Sequence, residues 1–293
     1  MVHLRPLPNA RAGMAALAVT AAAASLLTCG AAPASAAGDL AQGNYKHYVA
    51  LGDSYAAGTG LAEQTDADCE RGKGSYPSLL AGTFEPEVFA DVTCSGATTD
   101  SLRDSDGSAA PQLDALTQDT DLVTVTLGGN DLGFTDVIVQ CVLAGLVTKE
   151  GAPCRDKVSG DVEAAFTKLA DRLPETVADI EQRSPEARVV VVGYPNPFPA
   201  EGSGCGSSVP LAKGDVTWLH QTTDRLNSLL EASAVARHAD FVDTSKAFEG
   251  KDMCRPESTR WINPLLPVTP GSAHPNAAGH QATAAAVRER IEK

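Results

Sequence analysis

Short continuous apolar runs alternate along this chain with longer stretches in which apolar residues recur every three or four positions. The runs at residues 48–51, 88–92, 121–127, 188–193 and 240–243 are the strand candidates. DLVTVTL at 121–127 is rich in β-branched residues, which suit a pleated strand. The Val-Val-Val-Val centre of 188–193 has no polar alternation, the pattern of a strand buried on both faces. Between the runs, Val162, Phe166, Leu169, Leu173, Val177 and Ile180 predict a helix over 162–182, with Pro174 kinking or splitting it. Leu219, Leu226, Leu229 and Leu230 predict a second helix over 218–232. A last helix, with Ala284, Val287 and Ile291 inward, is expected to start at Pro275 as its first residue. Strand and helix in alternation predict one parallel sheet between two layers of helices. No repeat or low-complexity linker divides it. In such sheets the chemistry gathers at the carboxyl ends of the strands.

The amino terminus lies outside this pattern. Arg5 and Arg11 precede an apolar run from Met14 to Leu27, Ala34-Ser35-Ala36 fits a small-residue cleavage site, and no acid occurs before Asp39. Residues 1–36 read as a secretory signal peptide, and 37–293 as a single exported, extracellular domain. The run is too short and Ala-rich for a membrane span. Cys29 admits a lipid-attachment reading, but Thr28 stands where a smaller residue is usual, so no stable membrane anchor is expected. Removing 1–36 takes two arginines and no acid from 23 basic and 37 acidic residues, leaving 21 against 37, a net of −16. That balance disfavours nucleic acid, which needs a basic face, and favours a soluble monomer outside the cell. Six cysteines remain: Cys69, Cys94, Cys141, Cys154, Cys205 and Cys254. An even number in an exported chain implies disulfides. Of the fifteen connectivities the simplest is sequential, each bond closing a loop-rich insertion. No Cys-x-x-Cys pair suggests zinc or redox chemistry.

Three strand ends carry candidate chemistry. The first run ends at Gly52-Asp53-Ser54, where a glycine lets the backbone turn and presents a serine as nucleophile. The second leads to Cys94-Ser95-Gly96, and the third to Gly128-Gly129-Asn130-Asp131. Acyl transfer needs donors aimed at a developing oxyanion. The Ser54 N–H, the Gly96 N–H and the Asn130 amide are suited to that task. Among six histidines, His3 leaves with the leader, His47 lies at the wrong edge of the sheet, and His220, His238 and His280 fall in or beside helical sequence. His274 sits on a loop before the last helix, free to reach Ser54 as general base. Asp66 and Asp68 read as a solvated loop rather than a calcium site. Gly-x-Ser-x-Gly, the phosphate loop, full Gly-x-Gly-x-x-Gly and His-Glu-x-x-His are all missing.

In order and approximate spacing, Gly52-Asp53-Ser54-Tyr55, Gly96, Gly129-Asn130-Asp131 and His274-Pro275-Asn276 resemble the four blocks of the SGNH (GDSL) hydrolases, across nearly the whole mature chain. The exported six-cysteine form is most similar to the actinobacterial lipase and esterase branch. The resemblance implies a flavodoxin-like three-layer sandwich, Ser54 as nucleophile, Gly96 and Asn130 completing the oxyanion hole, His274 as base, and no metal or organic cofactor. It departs at one point. The family usually places an aspartate three residues before the histidine, and here that residue is Gly271. Some members of the branch use a main-chain carbonyl, so a Ser54–His274 dyad is expected, with the carbonyl of Ser272 or Gly271 on Nδ1. Asp243 and Asp53 are alternative partners for the ring, though Asp53 better suits the turn under Ser54, and Asp131 the loop of Asn130.

The expected activity is a secreted carboxylic-ester hydrolase, a lipase or esterase with phospholipase A close by, forming an acyl-enzyme on a small-molecule or lipid ester. Residues 132–134, 137–146 and 194–198 offer apolar walls for an acyl chain. A polysaccharide deacetylase would need exposed aromatic platforms, and the chain has only two Trp and five Tyr. A non-catalytic exported binding protein on the same scaffold would lose nothing on replacement of Ser54.

Overall fold

The computed structural model describes residues 44–107, 109–202 and 205–293. The leader, its cleavage site and Cys29 lie outside the described residues. In chain order the elements are β1 (His47–Gly52), α1 (Ser54–Ala57), β2 (Gln64–Asp66), β3 (Arg71–Gly72), α2 (Tyr76–Phe84), β4 (Val88–Asp91), β5 (Leu122–Thr126), α3 (Phe134–Val147), α4 (Pro153–Arg183), β6 (Arg188–Val192), α5 (Lys213–Ala236), β7 (Asp240–Val242) and α6 (Ala277–Ile291).

Five strands form one parallel sheet in the order β4-β1-β5-β6-β7. Tyr48 lies opposite Phe89 on one side and Leu122 on the other. Strand pleating sends alternate residues to opposite faces. Val49, Leu51, Val123, Val125, Val189 and Val191 join one core cluster with α4 and α5. Tyr48, Ala50, Leu122, Val190, Val192 and Val242 join the other, with Tyr76 and Leu80 of α2 and Val287 and Ile291 of α6. Both faces are therefore covered, the three-layer arrangement the apolar runs predict. The buried hydroxyls of Thr124 and Thr126 are paired with Tyr48 and Tyr76, each at 2.8 Å, so neither adds an unsatisfied polar group to the core.

From β1 the chain runs to edge strand β4, then crosses to β5 on the other flank. This is the flavodoxin-like order, and its switch point opens a crevice above the carboxyl ends of β1 and β5.

Four elements differ from the sequence reading. Helix α4 begins at Pro153 and runs unbroken through Pro174. Leu173, Thr176, Val177 and Ile180 are buried around the proline, so packing holds the helix despite the lost hydrogen bond. Helix α6 starts after Asn276, whose Oδ1 accepts the Gly279 N–H at 3.1 Å; Pro275 precedes this cap rather than opening the helix. Helices α2 and α3 are additional. Helix α2 is short and capped by Ser75. Helix α3 is apolar nearly all round, which erases the periodicity that betrays a helix. The cysteines pair as Cys69–Cys94, Cys141–Cys154 and Cys205–Cys254. The second bond joins the body of α3 to the first turn of α4, not a loop-rich insertion.

Candidate active site

At the end of β1, Gly52 takes φ +142° and a Cβ there would meet Thr126 O at 2.5 Å, so only glycine lets the strand turn against β5. Asp53 then caps α1. Its N–H donates to Thr126 O at 2.9 Å and its Oδ1 accepts the Tyr55 N–H at 2.9 Å. Ser54, the first residue of α1, is thereby fixed at the crevice with only 8 % of its surface exposed.

His274 reaches Ser54 from 220 residues away. Its Nε2 lies 2.8 Å from Ser54 Oγ, and its Nδ1 lies 2.8 Å from the carbonyl oxygen of Ser272. The Gly271 carbonyl accepts instead the His274 main-chain N–H at 3.1 Å and the Asn263 amide at 3.1 Å, so it is not the partner of Nδ1. Asn263 also exchanges main-chain bonds with the loop, donating to His274 O at 3.0 Å and accepting from Ala273 N at 3.2 Å. Ala273 sits at φ +64°, and its carbonyl accepts the Tyr55 hydroxyl at 2.6 Å. The histidine loop is thus tied to the serine turn. Burial pushes the imidazole pKa below its ordinary value, against the Ser272 carbonyl and the charge of Glu70, which favour the cation less strongly.

Neither alternative carboxylate serves the ring. Asp243 is exposed and holds Ser245. Asp53 is committed on both oxygens, to Tyr55 N and to the Tyr194 hydroxyl at 2.5 Å. The acid whose field reaches His274 is Glu70, on the turn between β2 and β3. His280 lies buried in α6, where Nδ1 accepts the Tyr76 N–H at 3.2 Å, and burial with His274 nearby drives its pKa to about 3.

Gly96 and Asn130 stand on the flanking strand ends. Gly96 adopts φ +85° in open surroundings, so its requirement is conformational. Among the described residues, neither the Gly96 N–H nor the Ser54 N–H has a partner. Asn130 spends one amide hydrogen on Ala97 O at 2.9 Å and keeps its second. Asp131 braces the two loops together, accepting the Thr99 N–H at 3.1 Å and the Thr99 hydroxyl at 2.5 Å; burial raises its pKa. Ser54, His274 and Asn130 line one crevice, with the Gly96 N–H unpaired on the neighbouring strand end; a serine hydroxyl, an imidazole and free donors are what acyl transfer requires.

Sequence reasoning places Tyr194 at the acyl wall, where it stands, but misses the work of its hydroxyl. Its hydroxyl donates to Asp53 and accepts the Gly129 N–H at 3.0 Å, bridging the serine turn to the Asn130 loop. It follows Gly193 at the carboxyl end of β6, where the strand-end rule applied to β6 finds it. Burial holds the Asp53 carboxyl up at about 7.

Beside Ser54 the crevice is walled by Phe134, Ile138, Tyr194, Pro195, Pro197 and Leu226. Leu132 and Phe198, expected at this wall, are core residues instead. The group Cys141, Cys154 and Asp215 is the one metal-like cluster among the described residues. Its sulfurs form a disulfide, and Asp215 accepts the N–H groups of Cys154 and Arg155 at the start of α4, so its donors are already spent. Asp66 is likewise committed, to Cys69 N and Arg71.

The GDSL-like Lipase/Acylhydrolase family model matches residues 50–282. Lipase 2 of Streptomyces coelicolor is 39 % identical over 267 residues, spanning 87 % of this chain and 86 % of that one. Phospholipase A1 from Streptomyces albidoflavus is similar in structure, with a TM-score of 0.72 at 31 % identity over 84 % of this chain and 99 % of that one. The extracellular lipase of Streptomyces rimosus matches with a TM-score of 0.73 at 29 % identity over the same shares, 84 % and 99 %.

Proposed function

The chain belongs to the GDSL-like lipase/acylhydrolase family and is a lipase/esterase; from that premise we propose that Ser54 is its nucleophile and His274 its general base. The observation that carries this reading is the 2.8 Å contact between Ser54 Oγ and His274 Nε2, with Nδ1 held by the Ser272 carbonyl. Ser54 attacks the acyl carbon as His274 takes its proton. The Ser272 carbonyl accepts Nδ1–H and so fixes the tautomer that leaves Nε2 basic. Negative charge on the former carbonyl oxygen is met by the N–H groups of Ser54 and Gly96 and the free amide hydrogen of Asn130. His274 then protonates the departing alcohol. Water, deprotonated by the same imidazole, releases the acid from the acyl-enzyme.

The apolar wall beside Ser54 supports an acyl chain as the group recognised, and a lipid ester as the substrate class. Phospholipase A activity falls within the same chemistry and is the named activity of the Streptomyces albidoflavus neighbour. Three disulfides support export to an oxidising compartment, with residues 1–36 as the leader and 37–293 as the catalytic domain. Among the described residues no helix is long and apolar enough to cross a membrane.

Hydrolysis of p-nitrophenyl butyrate and p-nitrophenyl palmitate by the oxidised protein tests the reading. Wild type is expected to cleave at least one ester, and Ser54→Ala to lose about 10⁶-fold in kcat, the loss typical of removing a catalytic serine. Full activity in Ser54→Ala sinks the mechanism.

A further inference from the structure

Helix α3 lines the crevice with Phe134 and Ile138, yet the fold leaves its outer face bare. Val139, Leu143, Leu146 and Val147 are 52, 60, 63 and 88 % exposed. Their spacing puts them on one stripe of the helix. Seven large hydrophobics are exposed among the described residues, and four of them are these. Single exposed apolar residues are ordinary, whereas a contiguous group marks a contact surface.

The stripe has no way inward. On the opposite face Val137, Cys141 and Gly145 are already buried, and a Cβ at Gly145 would meet Pro210 O at 2.0 Å. The Cys141–Cys154 bond fastens the same face to α4. Charge selects the occupant. Phe134 to Val147 contains no lysine or arginine and one acid, Asp136, in a chain of net charge −14. Helices that bind anionic lipid carry a basic face, and this one has none. Position points the same way, because residues of this helix wall the crevice beside Ser54.

We propose that the outer face of α3 is the surface by which this enzyme seats on aggregates of zwitterionic or neutral lipid, delivering ester from the aggregate to the crevice. The delivery step rests on the Ser54–His274 reading; the seating does not.

The test compares the full chain with Leu143→Gln/Leu146→Gln/Val147→Gln, positions that do not line the crevice. Binding is measured in the Ser54→Ala background by co-sedimentation with phosphatidylcholine and with phosphatidylglycerol vesicles. Activity is measured on dissolved p-nitrophenyl butyrate and on a trioctanoylglycerol emulsion. Removing three apolar side chains from lipid contact is expected to weaken phosphatidylcholine binding and emulsion hydrolysis by at least about tenfold, with dissolved-ester kcat/KM held within about twofold. Undiminished phosphatidylcholine binding by the variant overturns the proposal. So does an equal fall on dissolved and emulsified ester, which marks a damaged site, or tighter binding to phosphatidylglycerol. A wild type that pairs with itself through this face and ignores vesicles overturns it too. Vesicle binding by Ser54→Ala with no ester hydrolysis by wild type sinks the catalytic reading and leaves the surface standing; hydrolysis without binding does the reverse.

Discussion

Tyr194 joins two strand ends that the proposed oxyanion site needs in register. One hydroxyl serves the Asp53 carboxyl under the proposed nucleophile and the Gly129 N–H beside Asn130. Tyr194→Phe leaves the buried Asp53 carboxyl and the half-buried Gly129 N–H without this partner, a cost of roughly 1–3 kcal/mol for the buried group. The expected result is a lower Tm and a kcat reduced by about 10- to 100-fold with KM little changed, since the defect touches the position of the donors rather than the acyl wall. Steady-state kinetics on a dissolved ester decide it. At His274 the sign of the pH dependence is set by burial. The imidazole accepts a proton only when neutral, and desolvation makes its cation harder to form than in water. The acid limb of kcat/KM is therefore expected below about pH 6.5, the free imidazole value. Glu70→Gln removes a charge that favours the cation and is expected to move that limb lower still; a limb at or above 6.5 in wild type contradicts the account.

At the scale of elements, the histidine loop explains why an aspartate is missing three residues before His274. Gly271 packs its main chain on Gly60, where a Cβ on Gly60 would lie 2.2 Å from Gly271 Cα, and one on Gly271 would crowd the Asn263 amide at 3.0 Å. A side chain at Gly271 would press on the Asn263 amide and the Gly60 main chain, and the Ser272 carbonyl holds the ring instead. Gly60→Ala is both crowded and strained, since Gly60 adopts φ +81°. It is expected to push the loop away from Ser54 and cost about 10²-fold in kcat/KM, a loss measurable at temperatures where circular dichroism still reports a folded chain. The existence of an element was legible where packing left a periodic trace, as in α4 and α5, although both begin before the residues that carry the spacing. It was hidden where packing left none: α3 presents apolar residues on every side, so its sequence carries no 3.6-residue signal.

At the scale of the molecule, the disulfides fasten the pieces that build the site. Cys69–Cys94 ties the β2–β3 hairpin, which carries Glu70, to the segment leading into Gly96, and Ser95 N donates to Cys69 O at 3.0 Å. Its 25-residue separation corresponds to a chain-entropy stabilisation of about 3–4 kcal/mol. Cys69→Ala/Cys94→Ala is expected to lower stability to chemical denaturation by that order and to reduce kcat, because the loop of one proposed oxyanion donor, Gly96, is released. A variant that loses stability but keeps full kcat would show that Gly96 is held by the sheet alone.

The five sheet strands, the burial of β6 on both faces and the four sequence blocks of the proposed site were set by local chemistry: β-branched runs, apolar runs without polar alternation, and glycines at turns with Ser54, Asn130 and His274 beside them. Those features act within a few residues, so a linear reading finds them. What the tertiary structure decided concerns groups far apart in the chain. It selected the Ser272 carbonyl over Gly271, spent Asp53 on Tyr194, brought Glu70 into the field of His274, and turned four apolar residues of α3 to solvent. Each depends on which main-chain and side-chain atoms meet after folding, and on how much water is left around them, and neither is written in the spacing of residues.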